Sequence, residues 1–168
     1  MVVLDTSALT PFLRIGEFSL FKKLWKKASV SSGVYSEVEE FKAGSLEFIQ
    51  ATREWVSVRT LDQNKVLALS TKEGLTLVDA EVLLLALKED RVLVSGDRTL
   101  IQAAKAYGIK VFWTTEVLLE ALKQKKVSKK DALRLLDELI KNGLRIRIDV
   151  YSALRRTIEN YGLQNQVF

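Results

Sequence analysis

Residues 91–97, with the sequence RVLVSGD, form the stretch that decides the fold. The segment is short, rich in Val and without polar alternation, and it ends in small polar residues. This pattern is typical of a strand buried on both faces of a parallel sheet. Residues 2–7, VVLDTS, repeat the pattern at the start of the chain. We therefore expect two buried parallel strands, each followed closely by an aspartate.

Strand-like and helix-like segments alternate over most of the chain. Residues 55–58 and 109–113 are further strand candidates. Apolar residues spaced three and four apart predict helices at 18–27, 34–54 with a break at Gly44, 62–72, 77–89, 98–107 and 115–124. This alternation predicts an α/β domain with a mainly parallel sheet.

The C-terminal residues 126–168 have a different pattern. A helix is predicted from Ser128, which opens a capping-box-like sequence, to the Asn142-Gly143 pair. Residues 144–148 alternate strictly, as a half-exposed strand or an extended connector would, and a second helix is predicted at 149–159. About 40 residues rarely bury enough surface to fold alone. We therefore expect a helical appendage packed on a domain formed by residues 1–125.

The composition excludes several classes of chemistry. The chain has 168 residues, 48% of them hydrophobic, which is enough for one ordinary domain core. It contains no histidine and no cysteine, which excludes imidazole catalysis, cysteine nucleophiles and zinc sites built on these residues. A metal would have to bind to oxygen atoms, which favours Mg²⁺ or Mn²⁺.

Hydropathy gives no sign of a membrane protein. The longest apolar run, VLLLAL at residues 82–87, is far shorter than the roughly 20 residues of a membrane span. The first residues, MVVLD, lack the basic region of a signal peptide. We therefore expect a cytoplasmic protein without a membrane partner.

Two aspartates, Asp5 and Asp97, directly follow the two buried strands. Because ligands bind at the carboxyl ends of parallel strands, these carboxylates are expected at one edge of the sheet. The alternative role for each is to cap the next helix. Asp79, in the first turn of the helix predicted at 77–89, is the third candidate, although a carboxylate there also complements the helix dipole.

Two glutamates near these positions differ in their expected direction. Glu81 lies about 200° round the helix from Asp79, so the two side chains are not expected to share a ligand. Glu37 lies beside the apolar face of its predicted helix and is the fourth candidate. Four converging carboxylates would repel one another unless a cation neutralised them.

Four blocks of the chain resemble, in order, the sequence blocks of PIN-domain ribonucleases. They are VLDTSAL at 3–9, VYSEV at 34–38, LTLVDAEVLLLA at 75–86 and LVSGDRTL at 93–100. Each block supplies one of the four candidate carboxylates, and the last two, with AAKAYGIKV at 103–111, look most specific. The resemblance covers about residues 1–120, and the C-terminal helices are similar to those of a prokaryotic, VapC-like branch.

The resemblance implies a three-layer α/β/α fold and a metal-dependent endoribonuclease. By that resemblance one or two Mg²⁺ or Mn²⁺ ions are held by an acidic quartet: Asp5, Glu37, Asp79 and Asp97. Small hydroxyl groups that orient a carboxylate or a water match Thr6, Ser7 and Ser95. Many relatives carry a further acidic residue in the fourth block, where this chain has Gly96 and Arg98. This departure affects the position at which a second metal ion would bind.

Positive charge is concentrated towards the end of the chain. The net charge is +5, and residues 113–168 alone carry 11 basic and 7 acidic side chains. Lysine clusters at 22–27 and 123–130 are consistent with solvated helix faces or with a footprint for a polyanion. If RNA is the substrate, its candidate contacts are Lys22, Lys23, Lys26, Lys125 and Lys126.

Several functions remain open at this point. The nuclease could be a toxin that pairs with an antitoxin protein, or a housekeeping enzyme that trims RNA, and the family leads us to expect a homodimer. A PIN module that binds RNA or protein without cleaving is a further alternative. A nucleotide-binding domain is disfavoured because no G-x-G-x-x-G pattern follows either strand. A phosphatase using Asp5 would want a carboxylate two residues on, where the chain has Ser7.

Overall fold

The computed structural model describes residues 1–42, 44–89 and 92–162. Residue 91 of the stretch that decides the fold and residues 163–168 of the predicted appendage lie outside this range. Within the described ranges, no helix is both long and apolar enough to cross a membrane.

Five strands form a single parallel sheet in the described part of the chain. They are β1 (Val2–Leu4), β2 (Ala28–Ser31), β3 (Val56–Arg59), β4 (Val92–Ser95) and β5 (Val111–Trp113). Their order in the sheet is β3-β2-β1-β4-β5. The chain winds outward from β1 to β3 and then returns to place β4 on the other side of β1. This reversal creates a switch point between β1 and β4, where open α/β sheets bind ligands.

Ten helices connect and flank these strands in the described residues. They are α1 (Thr6–Arg14), α2 (Ser19–Trp25), α3 (Ser32–Glu40), α4 (Ser45–Glu54), α5 (Gln63–Glu73), α6 (Leu77–Glu89), α7 (Arg98–Ala106), α8 (Glu116–Lys123), α9 (Lys129–Lys141) and α10 (Ile148–Asn160). Helices cover both faces of the sheet, so the predicted three-layer α/β/α class is confirmed.

The core is built on the buried strands and on a group of aromatic rings. All residues of β1 and β2 are buried, as expected for central parallel strands. Phe18 packs near Phe21, Phe48 and Trp55, with ring centroids 4.9 to 5.8 Å apart. These contacts join α2 to α4 and to the start of β3.

The two C-terminal helices pack on the rest of the molecule through α9. Ser128 caps α9 by accepting a hydrogen bond from the Asp131 N–H, as the sequence predicts. Helix α9 packs against α8, and its buried residues Leu135, Leu136 and Leu139 belong to the same hydrophobic cluster as the strands. The division of the chain at residue 125 stays a prediction.

Two elements are missing from the sequence expectations. Helix α1 begins with Thr6-Ser7 and contains Pro11, all weak helix formers, yet it is stabilised by a buried face that includes Leu9 and Phe12. Strand β2 has the sequence ASVS, in which Ser29 and Ser31 are fully buried. A strand made largely of small polar residues contains no apolar run, so the sequence pattern does not predict it.

The alternating segment after α9 is a connector. Residues 144–147 lie outside helices and strands, and α10 begins at Ile148. Of the two expectations for this segment, the extended connector is confirmed. The half-exposed strand is wrong, since no described strand pairs with it.

Candidate functional site

The predicted site residues lie along the carboxyl edge of the sheet, around the switch point. Leu4 of β1 pairs with Val94 of β4. Asp5 and Ser95, the next residue along each chain segment, therefore lie side by side at the ends of neighbouring strands. The backbone N–H of Asp5 donates to the Val94 carbonyl at 3.2 Å. Sequence reasoning therefore placed Asp5 and the segment 95–97 at the correct edge.

Asp5 is the most buried of the acidic candidates, with a relative exposure of 3%. Its backbone stands at the N-cap of α1, but its carboxylate makes no capping bond to that helix. Instead, Oδ2 accepts hydrogen bonds from the Ser7 hydroxyl and from the Ser95 hydroxyl, the latter at 2.8 Å. The capping role considered for this side chain is therefore wrong.

The two serines form a continuous network between β1 and β4. The Ser7 Oγ accepts from the Gly96 N–H at 2.7 Å, and the Ser95 Oγ accepts from the Asp97 N–H at 2.9 Å. Each hydroxyl has one proton, which it donates to Asp5. The 3.3 Å approach between the two hydroxyl oxygens is therefore a contact without a proton between them. The network fixes the orientation of the Asp5 carboxylate.

Burial raises the pKa of the Asp5 carboxyl above its ordinary value near 3.8, because desolvation disfavours the charged form. The hydrogen bonds from Ser7 and Ser95 oppose this increase, and the negative charge of Asp79 adds to it. Asp79 is therefore near enough to Asp5 to influence its ionisation.

Glu37 extends from α3 towards the start of α1. Its Oε2 accepts a hydrogen bond from the Thr6 hydroxyl at 2.5 Å, and the side chain is otherwise exposed. Thr6 directly follows Asp5, so this bond brings the second sequence block to the first.

Asp79 and Asp97 both lie at helix N-termini. The Thr76 hydroxyl donates to Asp79 Oδ2 at 2.7 Å and accepts from the Asp79 N–H at 3.1 Å. Asp97 Oδ1 accepts from the Leu100 N–H at 2.8 Å, so the capping role considered for Asp97 is confirmed. Thr76 was not among the residues predicted from the sequence, although the T-x-x-D spacing is a helix-start signal.

Comparisons with known proteins identify the family of the chain. A family model described as PIN domain matches residues 1–160. The chain belongs to the PIN-domain family. PIN domains are generally nucleases. No protein with a curated function matches the chain.

Two solved structures from archaea resemble this PIN domain in fold. One is a PilT N-terminus domain protein, SSO1118 from Sulfolobus solfataricus P2, with a TM-score of 0.50, 18% identity and coverage of 72% of this chain and 92% of that chain. The other is PAE2754 from Pyrobaculum aerophilum, with a TM-score of 0.51, 22% identity and coverage of 71% and 88%. At these identities the likeness establishes the fold alone.

The donor chemistry of the PIN domain's carboxyl edge fits a hard divalent cation. All candidate ligands are carboxylate or hydroxyl oxygens, as Mg²⁺ and Mn²⁺ prefer. None of the ion pairs between described residues includes a member of the acidic quartet. The buried charge of Asp5 thus has no cationic side chain paired with it among these residues.

The quartet is not gathered into a single cage. Across residues 1–42, 44–89 and 92–162, no three acidic side chains lie close enough together to hold one ion as they stand. Glu37, Asp79 and Asp97 each accept a hydrogen bond from a nearby protein group instead. Binding one ion to all four would require exchange of these contacts.

Glu81, which was not expected to share a ligand with Asp79, has a structural role. It is 8% exposed, and its Oε2 accepts from the Gly33 N–H at 2.9 Å while Oε1 accepts from Gln63 Nε2 at 3.1 Å. A Cβ on Gly33 would lie 2.7 Å from Oε2, so a larger residue there would displace the Glu81 carboxylate from this hydrogen bond. Glu81 therefore joins α6 to the starts of α3, which carries Glu37, and α5.

Gly96 accounts for one departure from the family blocks. A Cβ there would lie 3.1 Å from the Thr114 Oγ1 and 3.3 Å from the Ser7 Oγ. Any larger side chain would press on the network that orients Asp5. Arg98 is exposed at the first position of α7 and brings positive charge to the carboxyl edge.

The lysines proposed as RNA contacts are not part of this edge. Lys26 comes just before β2, and the neighbouring Lys27 carbonyl accepts from the Val2 N–H, which places this turn at the amino edge of the sheet. Lys22 pairs with Glu54 at 3.0 Å. Lys125 and Lys126 are exposed and follow the end of α8.

Proposed function

We propose that this PIN domain is a Mg²⁺- or Mn²⁺-dependent endoribonuclease that hydrolyses RNA phosphodiester bonds. The observation that carries the proposal is the buried Asp5 carboxylate, held by Ser7 and Ser95 at the switch point and lacking a paired cation among the described residues. Asp5, Glu37, Asp79 and Asp97 would hold the ion. Thr6, Ser7 and Ser95 would orient these carboxylates and the attacking water.

The chain's own groups prepare the site before any ligand binds. The serine hydroxyls hold the Asp5 carboxylate in one orientation, and fixed outer contacts of this kind support metal affinity. The bond from Thr6 to Glu37 keeps a second carboxylate beside the first. When bound, a divalent cation supplies an activated water and neutralises charge on the leaving oxygen. The exposed Arg98 would attract the phosphates of the substrate.

Asp5→Asn and Asp79→Asn test the proposal directly. Each should lower Mg²⁺-dependent cleavage of a labelled single-stranded RNA by more than the 10- to 100-fold typical of losing an outer contact to a metal ligand. Asp137→Asn, an exposed acidic residue on α9, is the control and should cleave at the wild-type rate. Circular dichroism checks that all three variants remain folded. Full cleavage by both site variants would refute the assignment.

A PIN module that binds without cleaving is the second candidate. It is favoured by the fact that no three acidic side chains of the described ranges stand close enough for one ion. Titration calorimetry with Mn²⁺ separates the two candidates. An active site of the proposed kind should bind Mn²⁺ in the wild type and lose that binding in Asp5→Asn, whereas a non-cleaving module should bind Mn²⁺ in neither.

The biological role that we favour is a cytoplasmic, VapC-like toxin that acts as a homodimer and is restrained by an antitoxin protein. A housekeeping RNA-processing enzyme is the alternative. Growth arrest on induced expression, absent with Asp5→Asn, would support the toxin, and normal growth would favour RNA processing. Sedimentation of the purified protein tests the homodimer.

A further inference from the structure

A groove opens between the two C-terminal helices, away from the carboxyl edge of the sheet. It has a volume of about 440 Å³ and lies between the end of α9, the connector 144–147 and the start of α10. We call it the appendage groove. Its volume lies within the range of ordinary ligand pockets, roughly 300–1,000 Å³.

The lining of the appendage groove is largely aliphatic. Ile140, Leu144, Ile146 and Ile148 contribute to it. Ile148 is 77% exposed and is therefore accessible to a ligand in the groove. These side chains offer a ligand a concave apolar surface.

The border of the groove is positively charged. Lys141 and Arg145 line it and are exposed, and neither takes part in an ion pair between described residues. Asp137 also lines it, but its carboxylate is neutralised by Arg155 at 3.0 Å and accepts from the Tyr151 hydroxyl at 2.8 Å. The net charge offered to a ligand is therefore positive.

The connector offers backbone groups as well as side chains. Among the backbone hydrogen bonds of the described chain, none uses the N–H of Arg145 or of Ile146. Alternate residues of this segment, Leu144 and Ile146, are apolar, whereas Arg145 and Arg147 are basic. An extended chain can pair with such a segment through its backbone while its side chains enter pockets.

We propose that the appendage groove binds an extended, acidic segment of another protein, in which apolar side chains alternate with Asp or Glu. The apolar side chains would fill the groove, and the carboxylates would meet Lys141 and Arg145. This interaction is independent of the nuclease activity, since no member of the acidic quartet lines the groove.

Other occupants fit the groove less well. A two-fold contact with a second copy would bring the same positively charged border to both sides of the contact, so that like charges would oppose each other. RNA readers stack successive bases on several aromatic rings, whereas the lining contains a single aromatic residue, Tyr151. A bilayer needs a protruding apolar surface, and this surface is concave.

Binding of a designed peptide tests the proposal on the full chain. The probe is a fluorescein-labelled decapeptide of alternating Val and Glu, and the comparison peptide has Lys in place of Glu. Fluorescence anisotropy should show saturable binding of the Glu peptide only. Arg145→Glu and Ile148→Ser should each weaken it roughly tenfold.

Two matched variants control for charge and for apolar exposure. Arg156→Glu makes the same charge change at an exposed position of α10 outside the groove lining, and Leu46→Ser removes another highly exposed apolar side chain, on α4. Both should bind the Glu peptide with wild-type affinity. RNA cleavage by Arg145→Glu and Ile148→Ser should stay at the wild-type rate, so that failure here is distinct from failure of the proposed nuclease.

Four results would overturn the proposal. The first is a failure of specificity, seen either as equal binding of both peptides or as equal effects of the groove and control variants. The second is a change of sedimentation coefficient in Ile148→Ser, which assigns the groove to a second copy. The third is displacement of the Glu peptide by oligouridine, and the fourth is binding to phosphatidylserine vesicles that Ile148→Ser abolishes.

Discussion

The acidic side chains of the C-terminal helices and those of the carboxyl edge are held in opposite ways. In the C-terminal part of the chain, Asp137 and Glu159 pair with Arg155, Glu138 pairs with Arg134 and Asp149 pairs with Arg147. At the carboxyl edge, the quartet is held by hydroxyl and backbone donors and joins no ion pair among the described residues. The acidic side chains of the first region are paired with its own arginines, whereas those of the second are suited to an external cation.

Two serine–aspartate pairs show what burial adds to this difference. The Ser128 hydroxyl donates to exposed Asp131 at 2.6 Å, and this bond lowers the pKa of the Asp131 carboxyl. The Ser95 hydroxyl donates to buried Asp5 at 2.8 Å, yet burial raises the pKa of that carboxyl. The same hydrogen bond thus accompanies opposite shifts, and desolvation decides the sign.

The largest expected difference between the two regions is in cleavage. Both serines donate to an aspartate and accept a backbone N–H of an aspartate. Ser95→Ala removes a group that orients a proposed metal ligand, so cleavage of labelled RNA should fall by about 10- to 100-fold. Ser128→Ala removes a helix cap and should cost about 1 kcal/mol of stability with cleavage unchanged. Equal cleavage by the two variants would show that the serine network has no part in function.

The sequence predicts the position of the quartet better than its connections. Asp5 and Asp97 could be placed because apolar strands in a parallel sheet end at one edge. The roles of Thr6 and Ser7 as donors depend on helix α1. The sequence does not predict this helix, because it begins with polar residues and contains Pro11. The contact of Glu81 with Gly33 joins residues 48 positions apart, and only the packing of α6 against α3 reveals it. Side-chain partners of this kind depend on tertiary packing rather than on local periodicity.

Metal binding at the carboxyl edge should raise the free energy of unfolding, an effect smaller than the loss of cleavage but measured directly. At a concentration of Mn²⁺ about 100 times its Kd, linkage gives about 2.7 kcal/mol, which raises Tm by roughly 5–10 °C for a chain of this size. Differential scanning calorimetry with Mn²⁺ and with EDTA measures the shift. Asp137→Asn should show the full shift and Asp5→Asn should show none. A full shift in Asp5→Asn would place the metal elsewhere.

The pH dependence of stability should have opposite signs at Asp5 and Asp131 in metal-free protein. The raised pKa of Asp5 means that its contribution is fully present below the ordinary value near 3.8 and is lost as pH rises through the folded-state pKa. The lowered pKa of Asp131 means that its contribution is present above that value and is lost as pH falls.

Urea unfolding, measured at intervals of about one pH unit between pH 3 and pH 7, gives both contributions to the free energy of unfolding. Relative to Asp5→Asn, the wild type should lose stability as pH rises. Relative to Asp131→Asn, the wild type should gain stability over the same rise. Parallel curves for the two comparisons would contradict the role that we assign to burial at Asp5.

The smallest expected effect concerns the lysines outside the carboxyl edge. Strands of three or four residues span about 10–13 Å, so an RNA that reaches both the acidic residues and the turn at Lys26 must follow the side of the molecule. Lys23→Gln with Lys126→Gln should weaken RNA binding and lower the salt slope by about two, or one per phosphate contact. Cleavage at saturating RNA should not change, because neither lysine lies at the carboxyl edge. The control, Lys65→Gln with Lys105→Gln, makes the same charge change on α5 and α7. Equal salt slopes for the two double variants would show that the lysine clusters are solvated helix faces.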